Sequence, residues 1–290
     1  MINITKTVQE IFEREDFKNF IKKYHSVSIK PNICSMYKPP ATTSIDLVEK
    51  LVNCLIGLGK EVAIIESDQI TASAEIRARY FGFDQLGVPF VNVKSSSIKM
   101  IDIGSRQLPV YSPESAIINL AIPKPTDMPN IEISCAVKNL FGLVGVKNKG
   151  KLHAVLPKVL SNLLELYSDK VYTIVDCRLA MEGKGSPTKG KPVRLKEFYV
   201  SGINPAEIDT FIESEVMGFK RAVEGRISIS ENDKDFFQNL KNACPKIGNL
   251  RPTKLTLGKR LYYWLWENLD NPIFRPLLRW RQRTWEKLAR

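Results

Sequence analysis

Short apolar runs alternate with helical patterns along this chain, and this alternation constrains its fold more than any other feature. Residues 62–65, 117–122 and 172–175 are almost continuously apolar, as expected of strands that are buried on both faces. Segments with apolar residues at helical spacing lie before and between them, for example residues 44–58 and 153–167. Strands that alternate with helices form right-handed crossovers and a parallel sheet. The sequence therefore predicts an α/β fold with a mostly parallel sheet covered by helices.

Local signals define further elements. Thr7 and Glu10 have the spacing of a capping box, which predicts the start of a helix. Pro31 ends the β-rich run 27–30. The remaining predicted elements are helices over residues 71–81, 131–141, 153–167 and 205–218, a strand over residues 90–93, and a β-hairpin over residues 98–111.

The chain divides into four predicted parts. Residues 1–25 form an N-terminal helix, residues 26–220 the α/β body, residues 221–250 a connecting segment and residues 251–290 a tail. The tail holds ten basic and three acidic residues, so it carries +7 of the total charge of +12. The rest of the chain is close to neutral for its size, which disfavours a nucleic-acid-binding scaffold.

All four tryptophans lie in this basic tail. Its leucine and aromatic residues recur at helical spacing, with arginines mainly on the other faces, so we expect a basic, aromatic helical segment. Such a segment suits a helix in an anionic membrane interface, and it also suits packing against the body or a protein partner. The residues predicted to make this contact are Trp264, Trp266, Trp280, Trp285, Arg279 and Arg283.

Cysteine and histidine usage limits the cofactors. The five cysteines form no CxxC pair, which disfavours iron–sulfur clusters and zinc ribbons, and two histidines are too few for a histidine-rich metal cage. No apolar stretch reaches the ~18 residues that a membrane-spanning helix needs. The first six residues lack the pattern of a secretion signal. We therefore expect free thiols in a reducing cytoplasm, with association at a membrane surface as an alternative.

Polar residues follow the predicted strands, at the edge where parallel sheets bind ligands. Lys30 and Asn32 follow the first strand, and Thr42 and Thr43 lead into the next helix. Hydroxyl groups at a helix start, with free backbone N–H groups and a nearby lysine, suit a phosphate or carboxylate, and N-capping is the alternative. Glu66 follows the next strand and is predicted as a metal ligand, a general base or a helix cap.

A second group of candidates follows the strand at residues 117–122. Lys124 comes shortly after it, and Lys138 and Asn139 lie in an otherwise apolar predicted helix. A lysine in such a setting either extends to solvent or acts through a lowered pKa or an anion partner. His153 follows a basic cluster and is predicted as an acid–base group, with a cap or surface position as the alternative.

A third group follows the strand at residues 172–175. Asp176 and Glu182 are predicted to bind a divalent metal or to transfer a proton. The loop after them is rich in glycine and lysine, which would let the backbone approach an anion and neutralise its charge. Its anion-binding candidates are Gly183, Lys184 and Gly185.

The order of these motifs over residues 26–218 resembles the family called domain of unknown function 362. The resemblance is carried by Lys30-Pro31-Asn32, Thr42-Thr43, Glu66-Ser67, Pro123-Lys124, Lys138-Asn139-Leu140-Phe141-Gly142, His153, Asp176, Ala180-Met181-Glu182-Gly183, Gly185-Ser186-Pro187, and Gly202-Ile203-Asn204-Pro205 with Asp209. Members often carry a fused ferredoxin-like domain, whose cysteines this chain lacks. Where the family usually has a Lys-Thr-His-like stretch, this chain has Pro125-Thr126-Asp127, so no role of that histidine is carried over.

More distantly, the pattern looks like the N-terminal half of the nickel-dependent lactate racemase fold. That similarity implies a two-lobed α/β architecture with a cleft for an anionic ligand. It does not imply that this chain binds nickel, because a shared fold does not establish a shared function.

These features predict an enzyme that acts on a small carboxylate or phosphate substrate in a cleft at the strand ends, with a divalent metal as one option. The catalytic candidates are Glu66, Lys138, His153, Asp176 and Glu182, of which Glu66, Asp176 and Glu182 are the metal candidates. The anion-binding candidates are Lys30, Asn32, Thr42, Thr43, Lys124, Asn139, Gly183, Lys184 and Gly185. The alternative is a non-catalytic binding or accessory protein, attached to a membrane or partner complex by residues 251–290. An oligomer is compatible with either function.

Overall fold

The computed structural model describes residues 1–34, 36–70, 72–95, 98–103, 106–126, 131–183, 190–219 and 228–251, together with Arg283. Lys184, Gly185 and the tail residues Trp264, Trp266, Arg279, Trp280 and Trp285 lie outside the described residues. Arg283 is exposed. None of the helices in the described part is long and apolar enough to cross a membrane.

Thirteen strands occur in the described residues. They are β1 (Asn3–Thr5), β2 (Ser26–Lys30), β3 (Glu61–Glu66), β4 (Phe90–Asn92), β5 (Ile98–Ile103), β6 (Arg106–Tyr111), β7 (Ala116–Ala121), β8 (Lys124–Pro125), β9 (Ile133–Ser134), β10 (Val171–Asp176), β11 (Leu179–Glu182), β12 (Lys191–Arg194) and β13 (Tyr199–Gly202). The α-helices in the same residues are α1 (Val8–Glu13), α2 (Glu15–Ile21), α3 (Ile45–Gly57), α4 (Ala74–Phe81), α5 (Ala136–Asn139), α6 (Leu156–Leu166), α7 (Pro205–Phe211) and α8 (Glu231–Ala243).

Seven of these strands form one sheet in the order β1-β13-β10-β7-β2-β3-β4. The five strands from β10 to β4 run parallel, and β13 pairs antiparallel with both β10 and β1. The other strands form three two-stranded ribbons, one of which is the predicted hairpin of β5 and β6. The mostly parallel sheet confirms the predicted α/β fold. The two-lobed architecture stays a prediction.

Helices cover both faces of the sheet because its central strands are apolar on both sides. Ile118 and Leu120 of β7 pack in a core with α1, α2 and α3. Ile117, their neighbour on the opposite face, packs in a second core with α6 and the β5–β6 hairpin. Burying both faces stabilises the sheet by roughly 25 cal/mol per Å² of apolar surface removed from water. The strand ends and their loops are therefore where we expect a ligand to bind.

Four predicted helices differ in detail from the structure. The α-helix predicted over 205–218 ends as α7 at Phe211 and is followed by the π-helical segment Ile212–Val216. The N-terminal segment contains two helices, because the backbone of Arg14 is extended (φ −67°, ψ 135°), and β1 precedes them. The helix predicted over 131–141 is reduced to α5 and a following 3₁₀ turn, Leu140–Leu143. The helix predicted over 153–167 becomes α6, preceded by the 3₁₀ segment Lys149–Val155; Pro157, with its fixed φ, stands in the first turn of α6.

Candidate functional site

The strand order reverses at β2, which makes the ends of β2 and β7 the expected ligand site. The chain runs from β2 outward through β3 to β4, then returns to the other side of β2 through β7 and β10. Open parallel sheets bind ligands beyond the strand ends at such a switch point. A cleft of about 200 Å³ lies there. Six predicted candidates border it: Lys30, Asn32, Glu66, Lys138, Asn139 and His153.

A buried ion pair forms one wall of the cleft. Lys30 ends β2 and Glu66 ends the adjacent strand β3, and Lys30 Nζ lies 2.9 Å from Glu66 Oε2. The two residues are 1% and 4% exposed. Lys30 Nζ also donates to the carbonyl of Pro31 at 2.7 Å and to Asn139 Oδ1 at 3.4 Å. Burial lowers the pKa of Lys30, and the neighbouring Glu66 carboxylate offsets only part of that shift.

Glu66 is held as a carboxylate by donors on several sides. Its Oε1 accepts from the Ser67 backbone N–H at 2.8 Å, and its Oε2 accepts from the Ile33 N–H at 3.3 Å as well as from Lys30. Burial raises the pKa of Glu66, but Lys30, the nearby Arg77 guanidinium and the Ser67 N–H together outweigh it, so the net shift is downward. An ionised, saturated carboxylate is a poor proton acceptor. Glu66 therefore fits a structural role better than that of a general base.

Arg77 fixes the two loops that carry this pair. It lies on α4, is 1% exposed, and its guanidinium donates to the backbone carbonyls of Ile33 and Ser67. These carbonyls follow β2 and β3. One buried cation thus joins both strand ends, so the geometry of the Lys30–Glu66 pair does not depend on a ligand.

Asn139 and Gly142 bring the segment after β9 against the ion pair. Asn139 Nδ2 donates to Asn119 Oδ1 at 2.8 Å and to the carbonyl of Leu120 at 3.0 Å, which ties α5 to β7. A Cβ on Gly142 would lie 2.4 Å from Lys30 Cε and 2.9 Å from Glu66 Oε1. Only glycine leaves room for the pair at this position.

Asp209 anchors the short helix α5 from a distant part of the sequence. Its carboxylate accepts from the N–H groups of Ala136 at 2.6 Å and Val137 at 2.9 Å, which caps the helix N-terminus. Burial raises the pKa of Asp209 to about 7, although the two N–H groups act in the opposite direction. This cap orients the turn that carries Lys138 and Asn139.

Three lysines give the cleft a basic lining. Lys138, Lys147 and Lys149 border it together with Ser67. Lys149 Nζ donates to Ser67 Oγ at 2.7 Å and to the carbonyl of Asp68 at 2.8 Å. Burial lowers the pKa of Lys149 to about 7, with Arg77 and Lys30 adding to that shift and Glu66 opposing it. Near neutral pH, the charge of the cleft therefore depends on the protonation of Lys149.

His153 and Cys34 also border the cleft. Burial, followed by the charge of Lys138, lowers the pKa of His153 to about 4, so the imidazole is neutral at physiological pH. Cys34 is exposed, and its Sγ lies 3.8 Å from Lys124 Nζ. The surrounding protein raises the pKa of this thiol, but Lys124 and Lys138 lower it by more.

The predicted residues Thr43 and Lys124 lie behind the cleft wall. Thr43 Oγ1 accepts from the Asn32 N–H at 2.7 Å, and the Thr43 N–H donates to the Asn32 carbonyl at 2.9 Å. Lys124 Nζ donates to Asn32 Oδ1 at 3.1 Å and to the carbonyl of Ala41 at 2.9 Å. These contacts fix the loop after β2, and they place both residues in support of the cleft instead of facing a ligand.

Two predicted candidates, Thr42 and Asp176, border a separate cavity of about 160 Å³. Asp176 forms a salt bridge with Arg178, whose guanidinium nitrogen lies 2.8 Å from Asp176 Oδ2. Strands β10 and β3 are three strand spacings apart, which separates Asp176 from Glu66 by roughly 14 Å. These two carboxylates are too far apart to share one metal ion.

Glu182 and Gly183 are located near the start of the tail. Glu182 Oε1 lies 3.1 Å from Lys246 Nζ and accepts from the Arg251 N–H at 3.2 Å. The Gly183 N–H donates to the Arg251 carbonyl at 3.0 Å. The three metal candidates, Glu66, Asp176 and Glu182, thus each pair with a different basic residue. Within the described residues, no group of three histidine, cysteine, aspartate or glutamate side chains is arranged to hold a metal ion.

Comparison with known proteins gives one family. The family model described as domain of unknown function (DUF362) matches residues 27–212, well over half of the chain. The chain belongs to the DUF362 family. The predicted resemblance is confirmed, while the similarity to lactate racemase stays a prediction. No curated protein and no solved structure matches the chain.

The DUF362 match contains every strand and loop that borders the cleft, and it ends just beyond Asp209. Four residues near the cleft were not among the predicted site residues: Ser67, Arg77, Lys147 and Lys149. Ser67 belongs to the family motif Glu66-Ser67, and the two lysines belong to the basic cluster before His153. Arg77 had a signal, since it lies on the same helical face as Ala74 and Ala78, which are buried. Lys147 lies in an irregular loop and Lys149 begins the 3₁₀ segment that follows it, so no periodic pattern specifies where these two lysines lie.

Proposed function

We propose that this DUF362 protein is an enzyme that binds a small carboxylate- or phosphate-bearing substrate in the cleft at the ends of β2 and β3. The observation that carries the proposal is the basic lining of Lys138, Lys147 and Lys149 above a neutralised Lys30–Glu66 pair. Since that pair is internally balanced, Lys147 and, below about pH 7, Lys149 contribute positive charge to the cleft. An anion of a few atoms fits a cleft of about 200 Å³.

Two further features support an enzyme in particular. The walls are fixed before a ligand arrives, because Arg77 and Asp209 hold the loops and the α5 turn through buried hydrogen bonds. Preorganised charge of this kind stabilises developing negative charge in a reaction. The cleft also holds Lys149, whose pKa is shifted into the range where a group exchanges protons at physiological pH.

The affinity for sulfate should fall as the pH rises through about 7. Below that pH, Lys149 is cationic and attracts the anion; above it, Lys149 is neutral and the cleft loses one charge. We expect a decrease of roughly tenfold between about pH 6 and pH 8, or about 1.4 kcal/mol. Isothermal titration calorimetry measures this directly, and sulfate itself does not titrate in this range.

Lys149→Met should bind sulfate weakly at both pH values. Lys158→Met is the matched control, because Lys158 lies on the exposed side of α6, and it should behave like the unmodified protein. Sulfate affinity that is independent of pH, or equal in the Lys149→Met variant, would contradict the assignment of the cleft.

A further inference from the structure

The side chains of Ser67 and Lys149 meet at the cleft wall. Lys149 Nζ is 2.7 Å from Ser67 Oγ, and the carbonyl of Asp68, 2.8 Å away, holds the amine in place. Both residues border the cleft, although Ser67 is only 2% exposed. A hydroxyl group and an amine at this separation can exchange a proton without moving apart.

We propose that Ser67 and Lys149 form a nucleophile–base pair that transfers acyl groups from small activated esters bearing a second, anionic group. This inference rests on the proposed function, since the basic lining would hold that anionic group. It gives the cleft a reaction class, acyl transfer, and a substrate class, short carboxylate-bearing esters or thioesters.

Lys149 suits the role of base better than the carboxylate on the other side of Ser67. Glu66 Oε1 is 3.4 Å from Ser67 Oγ, but it already accepts from the Ser67 N–H, and the pKa of Glu66 is lowered. The pKa of Lys149 is lowered to about 7, so roughly half of this lysine is a free amine at neutral pH. Burial is the main cause of that shift.

In the proposed step, the Ser67 hydroxyl proton moves to Lys149 Nζ while the oxygen electron pair forms a bond to the substrate carbonyl carbon. The bond from that carbon to the leaving oxygen or sulfur then breaks, and the leaving group takes the proton from Lys149. Water attacks the resulting Ser67 ester by the same proton route, which releases the acid and restores the hydroxyl. The net reaction is hydrolysis of the ester by one water.

The neighbouring charges suit this step. Lys138 and Lys147 border the same cleft, so one cation can hold the anionic group while another stabilises the oxyanion that forms at the carbonyl. His153 is neutral above about pH 4 and adds no charge that would compete with Lys149.

The test uses 4-nitrophenyl hemisuccinate, an activated ester that carries a carboxylate, and the neutral ester 4-nitrophenyl acetate for comparison. We expect a burst of nitrophenolate, a succinyl group on Ser67 by peptide mass spectrometry, and a rate that rises with pH to a plateau above about 7. Lys149→Met should slow acylation about 100-fold or more. Ser67→Ala should abolish the label, and the hemisuccinate should react faster than the acetate.

The variant Lys149→Arg distinguishes the role of Lys149 as a base from its role as a positive charge. Arginine keeps the positive charge at all relevant pH values, so this variant should bind sulfate but fail to acylate. Ser161→Ala and Lys158→Met alter exposed α6 residues and are the matched controls, which should react normally. Each variant is first shown to be folded by circular dichroism. Ser67→Ala and Lys149→Arg are also shown to bind sulfate, so a loss of acylation in these two variants is not a loss of structure or of anion binding.

The possible outcomes are distinct. Acylation of Cys34 or Lys149 in place of Ser67, or an unchanged rate in Lys149→Met, overturns the nucleophile–base pair. No acylation with normal sulfate binding overturns this inference alone and leaves the proposed function standing. No acylation and no sulfate binding in the unmodified protein overturns both.

Discussion

Glu66→Gln should lower the free energy of unfolding by roughly 3–5 kcal/mol, the usual cost of removing one member of a buried ion pair. Glutamine keeps the shape but removes the charge that balances Lys30, which is only 1% exposed. The Ile33 and Ser67 N–H groups would also lose a charged acceptor. Urea denaturation followed by circular dichroism measures the change.

Two further variants test whether the loss of stability comes from the unbalanced charge of Lys30. Glu61→Gln removes an exposed carboxylate that pairs with His25 at 3.3 Å, and exposed pairs contribute about 0–1 kcal/mol, so it should have little effect. Replacing both partners, Lys30→Met with Glu66→Leu, should recover much of the lost stability, because no uncompensated charge remains. A Glu66→Gln protein as stable as the unmodified one would show that the pair is not buried as described.

Gly142→Ala should lower stability by roughly 1–3 kcal/mol, the typical cost of overpacking, and should weaken sulfate binding. The added methyl group would lie 2.4 Å from Lys30 Cε and 2.6 Å from Lys30 Nζ. A lysine terminus normally moves aside, but here it is enclosed and held by hydrogen bonds to Pro31, Glu66 and Asn139. The Lys30–Glu66 pair must therefore move to make room for the methyl group, and the cleft wall that the pair forms moves with it.

Gly57→Ala is the comparison. Gly57 is the last residue of α3, and a Cβ there meets no atom within 4 Å. Alanine is the better helix former, so this variant should be neutral or more stable by up to about 1 kcal/mol. If the two glycine variants behaved alike in denaturation and in sulfate calorimetry, the close approach of Gly142 to the ion pair would be refuted.

The fold could be predicted from the sequence because its central strands are apolar on both faces. The runs around Ile64 and Ile118 can be buried only in a sheet covered on both sides, and the helices between them require parallel strands. The lengths of the helices were less predictable. Residue 136 begins α5 because Asp209, more than 70 residues away, caps it, and no local pattern contains that contact.

The candidate site was partly predictable for the same reason. Lys30 and Glu66 follow neighbouring parallel strands, so strand order alone brings them together. Asp176 also follows a parallel strand, but its strand is three positions along the sheet, and the sequence does not contain that order. Lys149 begins the 3₁₀ segment Lys149–Val155, whose position no periodic pattern in the sequence specifies. Its lowered pKa arises from burial that only the three-dimensional packing creates.

In the proposed function, an anion is held between Lys138, Lys147 and Lys149, over the Lys30–Glu66 pair. A crystal of the protein grown with selenate, an anomalously scattering analogue of sulfate, locates bound anions without assumptions about the reaction. We expect an anomalous peak within hydrogen-bonding distance of at least two of these three lysines. A cleft without selenate, in crystals where the anion binds only at surface lysines elsewhere, would contradict it.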